Sequence, residues 1–442
     1  MNEAPTRTAG LPRVAIVGSG VSGLTAAYLL RGSHQVIVFE ADDRLGGHAH
    51  THDVTAGDGR RYPVDTGFIV HNDRTYPLLR RLFAELDVPT RPTEMSMSIR
   101  CDGCGLEYAG GRGAAGILAQ PRRVADMRFV RLLGQVRRFQ RLATRFLAAT
   151  DADDTTSYGD FLAGHGFGPY FVQHYAVPVV SCVWSSGHEA ALAYPAHYLF
   201  RFLDHHGFLT RGDAPRWSTV VGGSRAYVGA VASAIGSAGG DVRRGTGVRA
   251  VTRKPDGVMV HDTRGDLHLV DQVVLATHAD DALGLLTDPT DDERRVLGAF
   301  GYAHNTAVLH TDPTVLPRAP RARAGWNYRL DGCDQQRDRA QVSYWMNRLQ
   351  GYEDASDAFV VTLNDDGRIS DDRVLARAAY RHPVYTREAV AAQRGLAALA
   401  TDRTAFAGAH HGWGFHEDGC RAGVEAALHL GARPGPGWSV ES

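Results

Sequence analysis

The sequence predicts an α/β protein, and three separated stretches carry that prediction. The first, RVAIVGSGVSGLTAAYLL at residues 13–30, runs an apolar strand into a glycine-rich turn and a helix. The second, residues 216–285, returns to short apolar strands divided by Gly, Pro and Asp. The third, TAFAGAHHGWGFHEDGCRAGVEAALHL at residues 404–430, again sets strand, glycines and helix in that order. Strand and helix signals alternating in this way build a parallel sheet flanked by helices.

Residues 13–17, RVAIV, read as a buried parallel strand. Gly18, Gly20 and Gly23 in GSGVSG then permit a tight turn, close approach to a pyrophosphate and close helix–strand packing. The phosphate lies on the amino terminus of the next helix, read as amphipathic over TAAYLL, where free N–H groups and the dipole favour an anion. A second strand, QVIVFE, ends at Glu40, twenty residues after Gly20. Its carboxylate suits the hydroxyls of an adenosine ribose and repels a 2′-phosphate. Strand, glycines, helix and acid at these spacings predict a dinucleotide site. The continuation ADDRLGGHAHTHDV adds Arg44 and the pair Gly46-Gly47. A nicotinamide dinucleotide does not need them, whereas FAD, whose pyrophosphate and ribityl chain run past this loop, does. Gly18, Gly20, Val21, Ser22, Gly23, Glu40, Ala41, Arg44, Gly46, Gly47 and His48 are the first predicted cofactor contacts.

EADDRLGGH, following GSGVSG, resembles the FAD motif of the flavin amine-oxidoreductase superfamily. Its members include monoamine and polyamine oxidases, protoporphyrinogen oxidase, carotenoid desaturases such as phytoene desaturase, and fatty-acid double-bond isomerases. VDTGFIVHNDRTYP at 64–77, YWMNRLQ at 344–350 and GFHEDG at 414–419 resemble a narrower bacterial branch. That branch is described as predicted NAD/FAD-binding proteins associated with cyclopropane or methyl-branched fatty-acid synthesis. The resemblance runs from residue 13 to about 430 and implies a two-domain α+β flavoprotein. A Rossmann-like FAD-binding domain (13–75, 216–285 and 400–431) is then interleaved with a substrate domain of mixed sheet plus helices (76–215 and 286–399). Residues 1–12 and 432–442 are read as tails. The resemblance also implies cofactor contacts at Thr66, Gly67, the Val248 backbone, Ala276, Thr277, Gly408, His416, Glu417 and Asp418.

In the third stretch AFAGA reads as a strand and the helix as starting near Asp418-Gly419. In the resembling flavoproteins this helix aims its amino end at the flavin pyrimidine edge, where N–H groups stabilise negative charge on the reduced ring. Trp413 or Phe415 can wall that ring. His410 and His411 read as packing or solvated loop residues, and His416 as a flavin-side candidate.

The intervening segments should build the substrate domain. Residues 121–150 put Phe129, Leu133, Val136, Phe139, Leu142 and Phe146 on one helical stripe, with arginines 128, 131, 137, 138, 141 and 145 opposite. Two readings stand: a core-facing domain helix, or a basic amphipathic helix on an anionic membrane. GYAHNTAVLHTD, GWNYRL and QVSYWMN alternate like strands lining a pocket. They offer Tyr302, His304, Asn305, Trp326, Tyr328, Tyr344, Trp345, Met346 and Asn347, a lining that suits an acyl chain. His304, Tyr344 and Asn347 join His416 as catalytic candidates; ordinary sheet core is the alternative for each.

The 48 basic and 49 acidic residues leave a formal charge of −1, so no global field recruits nucleic acid. Five cysteines suit reduced thiols in a cytosol. Cys101-Asp-Gly-Cys104 lacks the second pair of a zinc ribbon and reads as a hairpin turn, so no metal is expected. MNEAPTRTAGLP lacks the apolar core of a signal peptide, and no run of about 18 apolar residues spans a membrane. A cytoplasmic protein follows, with peripheral membrane contact open through 121–150 and its oligomeric state undetermined. Lys254 is the sole lysine and sits in a hairpin, leaving vacant the lysine that family amine oxidases hold near flavin N5. The leading expectation is an FAD-dependent oxidoreductase acting on a carbon–carbon bond of a lipid or fatty acyl chain. A redox-neutral double-bond isomerase, an amine oxidase and a non-catalytic flavin-binding partner remain alternatives. FAD is expected to be non-covalent, although His and Cys in HHGW and FHEDGC leave a covalent link open.

Overall fold

Val14, Ala15, Ile16 and Val17 are all buried, because their strand, Arg13–Val17, lies at the centre of a five-stranded parallel sheet. The computed structural model describes residues 10–209, 214–334 and 336–438; part of each expected tail lies outside them. Across the sheet run Asp241–Arg243, Gln35–Phe39, Arg13–Val17, Gln272–Leu275 and Thr404–Phe406, each pair parallel. The chain builds outward on one side of Arg13–Val17 and then crosses to the other. At such a reversal the connecting loops splay apart and leave a crevice at the carboxyl ends of the strands.

The helix after the glycine turn, Val21–Leu30, departs from its amphipathic reading: every residue in it is buried. Besides the sheet, it meets helix Arg225–Ser237 and the last helix, His416–His429. That last contact is made at backbone distance. A methyl group on Gly423 would lie 2.3 Å from the Ser22 carbonyl oxygen, and one on Gly419 would lie 2.6 Å from Val21 Cγ1. Across the same seam the Thr25 hydroxyl donates to Cys420 Sγ at 3.6 Å.

Three segments depart from their sequence assignments. Helix Pro77–Glu85, expected in the substrate half, buries Leu78, Leu79, Leu82 and Phe83 in the core of the parallel sheet. Trp438, expected in a tail, is buried beside Tyr28 and donates its indole N–H to Glu85. Strand Trp217–Val220 lies outside the parallel sheet and pairs antiparallel with Val70–Asn72 and Thr90–Pro92. Between residues 241 and 275 five strands form where three or four were expected. The outer two join the parallel sheet, and Val248–Lys254, Gly257–Asp262 and Leu267–Val270 form an antiparallel meander.

A seven-stranded sheet underlies the second body. Its order is Val374–Val384, Gly301–His310, Val360–Leu363, Val342–Trp345, Trp326–Leu330, Met97–Cys101, Leu106–Gly110. Neighbours are antiparallel except Trp326–Leu330 with Met97–Cys101. Cys101-Asp-Gly-Cys104 forms the hairpin turn its sequence suggests. Helix Met127–Ala149 starts where the Asp126 side chain accepts from Arg128 N. Its stripe turns inward: Phe129 and Phe139 are buried, and Leu133, Val136, Leu142 and Phe146 pack on the same core. The Phe139 ring meets those of Tyr158, Phe161, Phe171 and Phe200.

Gly423→Val should force the two helices apart. Overpacking of this kind costs about 1–3 kcal/mol, so thermal denaturation should show a lower midpoint and the protein should lose bound dinucleotide. A variant with wild-type midpoint and cofactor content would show that the seam tolerates separation.

Candidate active site

Gly18 has φ +100, and a side chain there would meet the Ala276 carbonyl at 2.7 Å, so only glycine turns the chain here. A Cβ on Gly23 would lie 1.9 Å from the Gly18 carbonyl oxygen. These approaches gather Gly18, Ala276 and Thr277 at the crevice, and Gly408 joins them against the Thr277 carbonyl. Gly20 is open, with nothing within 4 Å of its Cβ position, and helix Val21–Leu30 has no side-chain cap. Its first N–H groups are left for an anion. The Val21 and Ser22 side chains instead face Gly419 of the last helix, so only their backbone can serve a phosphate.

At the far mouth Glu40 Oε2 accepts from Ser19 N at 3.0 Å and Ser19 Oγ at 2.5 Å, and Oε1 accepts from Asp42 N at 2.9 Å. Ala41 lies 3.1 Å from the Cβ position of Gly247, so Ala41 and Val248 border the same mouth. Gly47 lies against Gly20, and Gly46, buried against Ala49 and Val228, ties itself to the glycine turn by donating to Ser19 O at 3.0 Å and Ser19 Oγ at 3.1 Å. Arg44 differs from expectation. Its guanidinium donates to the carbonyls of Gly47 at 2.8 Å and Ala49 at 3.5 Å, holding the glycine loop in shape.

The last helix begins at His416 rather than near Asp418, and neither acid that follows faces the cradle. Glu417 accepts from Leu78 N and Leu79 N at 2.9 Å each, capping helix Pro77–Glu85. Asp418 accepts from Phe415 N at 3.0 Å and from Arg421 at 3.1 Å. Burial pushes these carboxyls up to about 7 and about 6. Both aromatic residues pack on protein rings: Phe415 stacks on Phe202 with centroids 4.9 Å apart, and Trp413 packs on Tyr198 and His205. The loop before the helix is tied by groups the sequence reading missed. Tyr198 donates to Gly412 O, Gln393 to His410 O and Gly412 O, and the Trp184 indole to Trp413 O.

Between loop and sheet lies a chamber of imidazoles. His416 stacks on Phe68 with centroids 3.8 Å apart and planes at 14°. His48 stacks on Tyr380 at 5.0 Å and lies 5.4 Å from His382 and 6.0 Å from His278. His278 packs on Tyr302 at 4.4 Å. Burial holds His416 down to about 3 and His382 and His411 down to about 4, with His48 and His410 also far below the ordinary range. The ring system is therefore uncharged at neutral pH. Nε2 of His48, His410, His411 and His416 and the Trp413 indole nitrogen are buried without a partner among the described residues. Buried polar atoms of this kind call for a ligand. Together with the open Gly20 and the uncapped helix, they fit a dinucleotide running from Glu40 toward His416.

His382 is oriented by a chain of amides. Asn364 Nδ2 donates to Asn305 Oδ1 at 2.7 Å, and Asn305 Nδ2 donates to His382 Nδ1 at 2.9 Å. A neutral ring that accepts at Nδ1 carries its proton on Nε2. Of the four catalytic candidates, His416 alone borders the chamber. His304 is exposed, opposite Arg381 in the sheet register. Asn347 holds a loop by donating to Tyr352 O and Asp357 O and accepting from Phe359 N. Tyr344 packs edge-on against Trp326 in the sheet core. Thr66 shares a 2.8 Å hydrogen bond with Tyr380, and Gly67 lies on the His48 carbonyl, so both support chamber residues. Tyr380, His382 and His278 were missed; the spacing of Tyr380 and His382 by two on strand Val374–Val384 is the one local signal for a shared face.

The buried groups set a pH dependence. His50, His71, His206, His310, His382, His411 and His416 sit at about 4 or below when folded, against about 6.5 unfolded. The unfolded chain binds more protons across that interval, so stability is lost as pH falls below about 6.5. Asp65, Glu417 and Asp418, raised to about 6, 7 and 6, oppose the trend over nearly the same interval. Seven groups outweigh three, and the unfolding temperature should fall between pH 6.5 and 4.5. A midpoint that stays level or rises on acidification would contradict this balance.

Comparison with known proteins agrees with the geometry. The profile of the flavin-containing amine oxidoreductases matches residues 21–378, well over half of the chain. An L-amino-acid oxidase of Sistrurus catenatus edwardsii is 54% identical over 48 residues, which are 11% of this chain and 9% of that oxidase. The chain thus spans only a small part of the curated relatives it matches. A fatty acid isomerase from P. acnes superposes with TM-score 0.64 at 16% identity, covering 93% of this chain and 97% of that one. Cyclohexylamine oxidase from Brevibacterium oxydans IH-35A superposes with TM-score 0.69 at 16% identity, covering 95% and 99%. The chain belongs to the flavin-containing amine oxidoreductase family.

Proposed function

We propose that the protein is an FAD-dependent oxidoreductase that acts on a carbon–carbon bond of an apolar substrate, a lipid or fatty acyl chain, by desaturation or its reverse. The observation that carries this reading is the set of imidazoles held neutral by burial, His48, His382 and His416, packed among Tyr380 and Phe68. The sole lysine, Lys254, lies on an exposed hairpin, and Glu417 and Asp418 are held in helix caps. The lysine is thus remote from the glycine turn, and neither carboxyl is free to pair with a substrate ammonium. One fold neighbour is a fatty acid isomerase and another a cyclohexylamine oxidase, so the fold admits both chemistries and the electrostatics favour the first. When bound, FAD supplies the hydride acceptor or donor. The chain supplies a water-poor lining and a fixed Nε2–H on His382. FAD binding is non-covalent in this reading, and the Cys420 thiol, buried against Thr25, is withheld from any link.

An imidazole that titrates near 4 is a poor proton acceptor at neutral pH. This favours a second reading, a redox-neutral double-bond isomerase, in which a hydride leaves carbon and returns one allylic position along. Purified protein mixed under argon with free and phospholipid-bound fatty acids separates the two. Lasting loss of oxidised-flavin absorbance supports desaturation, and a moved double bond without lasting bleaching supports isomerisation. Peroxide and ammonia released from an amine panel would sink both.

Peripheral contact with an anionic bilayer at the cytoplasmic face belongs to the same proposal. No helix among the described residues is long and apolar enough to cross a membrane. The inward stripe of Met127–Ala149 is not available, but Val124, Met127 and Val130 are 57%, 61% and 42% exposed beside the exposed Arg122, Arg128 and Arg131. Apolar side chains ringed by arginines suit such a surface. The protein should sediment with phosphatidylglycerol vesicles and not with phosphatidylcholine, and Met127→Glu with Val130→Glu should release it. Equal sedimentation with both lipids, or no effect of the substitutions, would count against this surface.

A further inference from the structure

Cys101 and Cys104 have no second CxxC partner in the sequence, but the fold brings them two other ligands. Cys101 ends strand Met97–Cys101, and Cys104 lies in the turn that follows. Cys333 comes from the loop after strand Trp326–Leu330, which pairs with Met97–Cys101 in parallel register. His174 comes from the helical layer, within the single π-turn Val172–Ala176. One ligand atom from each of the four lies within 4.8 Å of every other. Cys101 Sγ is 3.8 Å from Cys333 Sγ, and Cys104 Sγ is 3.7 Å from His174 Nε2. Tetrahedral zinc with Zn–S of about 2.3 Å and Zn–N of about 2.0–2.1 Å has S–S edges of about 3.8 Å and S–N edges of about 3.6 Å. The observed spacings match those edges.

We propose that Cys101, Cys104, His174 and Cys333 bind one zinc ion as a closed, four-coordinate structural site. The surroundings suit it. Two Asp-Gly-Cys turns, at 102–104 and 331–333, meet face to face, where a Cβ on Gly103 would lie 2.9 Å from Gly332 Cα. Arg329 bridges Asp102 and Asp331 and locks the turns together. The His174 ring pairs its Nδ1 with the Tyr170 carbonyl at 2.9 Å, which puts the proton on Nδ1 and frees Nε2 for the metal. Tyr108 donates to the His174 carbonyl at 2.7 Å, fixing the π-turn. The Tyr170 hydroxyl is 3.7 Å from Cys104 Sγ, and Arg123 donates to the Cys104 carbonyl at 2.6 Å. These groups counter the net −1 of three thiolates around Zn²⁺. On binding, each thiol loses its proton to solvent and no electron moves. Four protein ligands leave no open position, so the site ties His174 of the helical layer to turns of the seven-stranded sheet and takes no part in catalysis.

The test is zinc content of the full-length flavoprotein, produced with zinc, dialysed against EDTA and read by elemental mass spectrometry beside flavin absorbance. Wild-type protein should retain one zinc per chain. Cys104→Ser and Cys333→Ser should each lose that equivalent while keeping FAD, and Cys182→Ala should keep both. Wild-type protein without zinc, zinc retained in both serine variants, or a Cys101–Cys333 disulfide in the purified protein would overturn the proposal. Should the variants fail to fold, zinc-edge X-ray absorption of the wild type decides. Three sulfurs at about 2.3 Å and one nitrogen support the site; an oxygen-rich shell sinks it.

Discussion

The backbone-distance seam between helix Val21–Leu30 and helix His416–His429 is the constraint on which the remaining architecture depends. Thr25 and Cys420 meet across it from positions 395 residues apart, and no side chain larger than hydrogen fits at Gly423 without moving Ser22. Once the seam forms, the crevice beside Gly18 gains its far wall. The 408–415 loop is delivered over that crevice, and Glu417 reaches the amino end of helix Pro77–Glu85. The entropy of closing a loop grows only slowly with its length, so so distant a pairing costs little more than a near one. In return it sets three elements at once.

Buried carboxylates perform the joining elsewhere. Asp65 accepts from Ser224 N, Ser224 Oγ, Thr51 Oγ1 and Gln350 Nε2, tying a hairpin, a helix start and the end of the short helix Met346–Leu349 to one side chain. Glu417 and Asp418 do the same at the last helix. A buried acid is tolerated only when donors surround it, and removing any one donor leaves the others misdirected. All three acids are raised above the ordinary carboxylate range by burial.

The chamber follows from opposite physics. Apart from His278, which faces Asp281 at 3.5 Å, its imidazoles make no ion pair among the described residues, and burial selects their neutral form. The Asn364–Asn305–His382 chain then chooses which nitrogen carries the proton. Two strands of the seven-stranded sheet supply that chain's histidine and central asparagine, while His48 and His416 come from the dinucleotide half. The chamber exists only where the halves meet, and its polarity belongs to neither alone.

What the amino-acid sequence settled was local and backbone-driven. GSGVSG between an apolar strand and a helix has few other conformations open to it, and Glu40 at the end of the next strand follows at fixed reach. That 272–275 and 404–406 form strands was legible in their apolar runs, but that both add to the far side of the parallel sheet was not. Nor was side-chain direction. His304 and His382 both sit on alternating strands, and only the sheet order turns one to solvent and the other inward. Arg44, Glu417 and Asn347 carry the right chemistry for a site, yet each is engaged by backbone groups that come near only in the folded chain. Tyr198, Gln393 and Trp184, which tie down the 408–415 loop, have no mark in their own neighbourhoods. Short-range steric preferences are written in consecutive residues, whereas a side chain's partner is chosen by packing between segments that the chain brings together last.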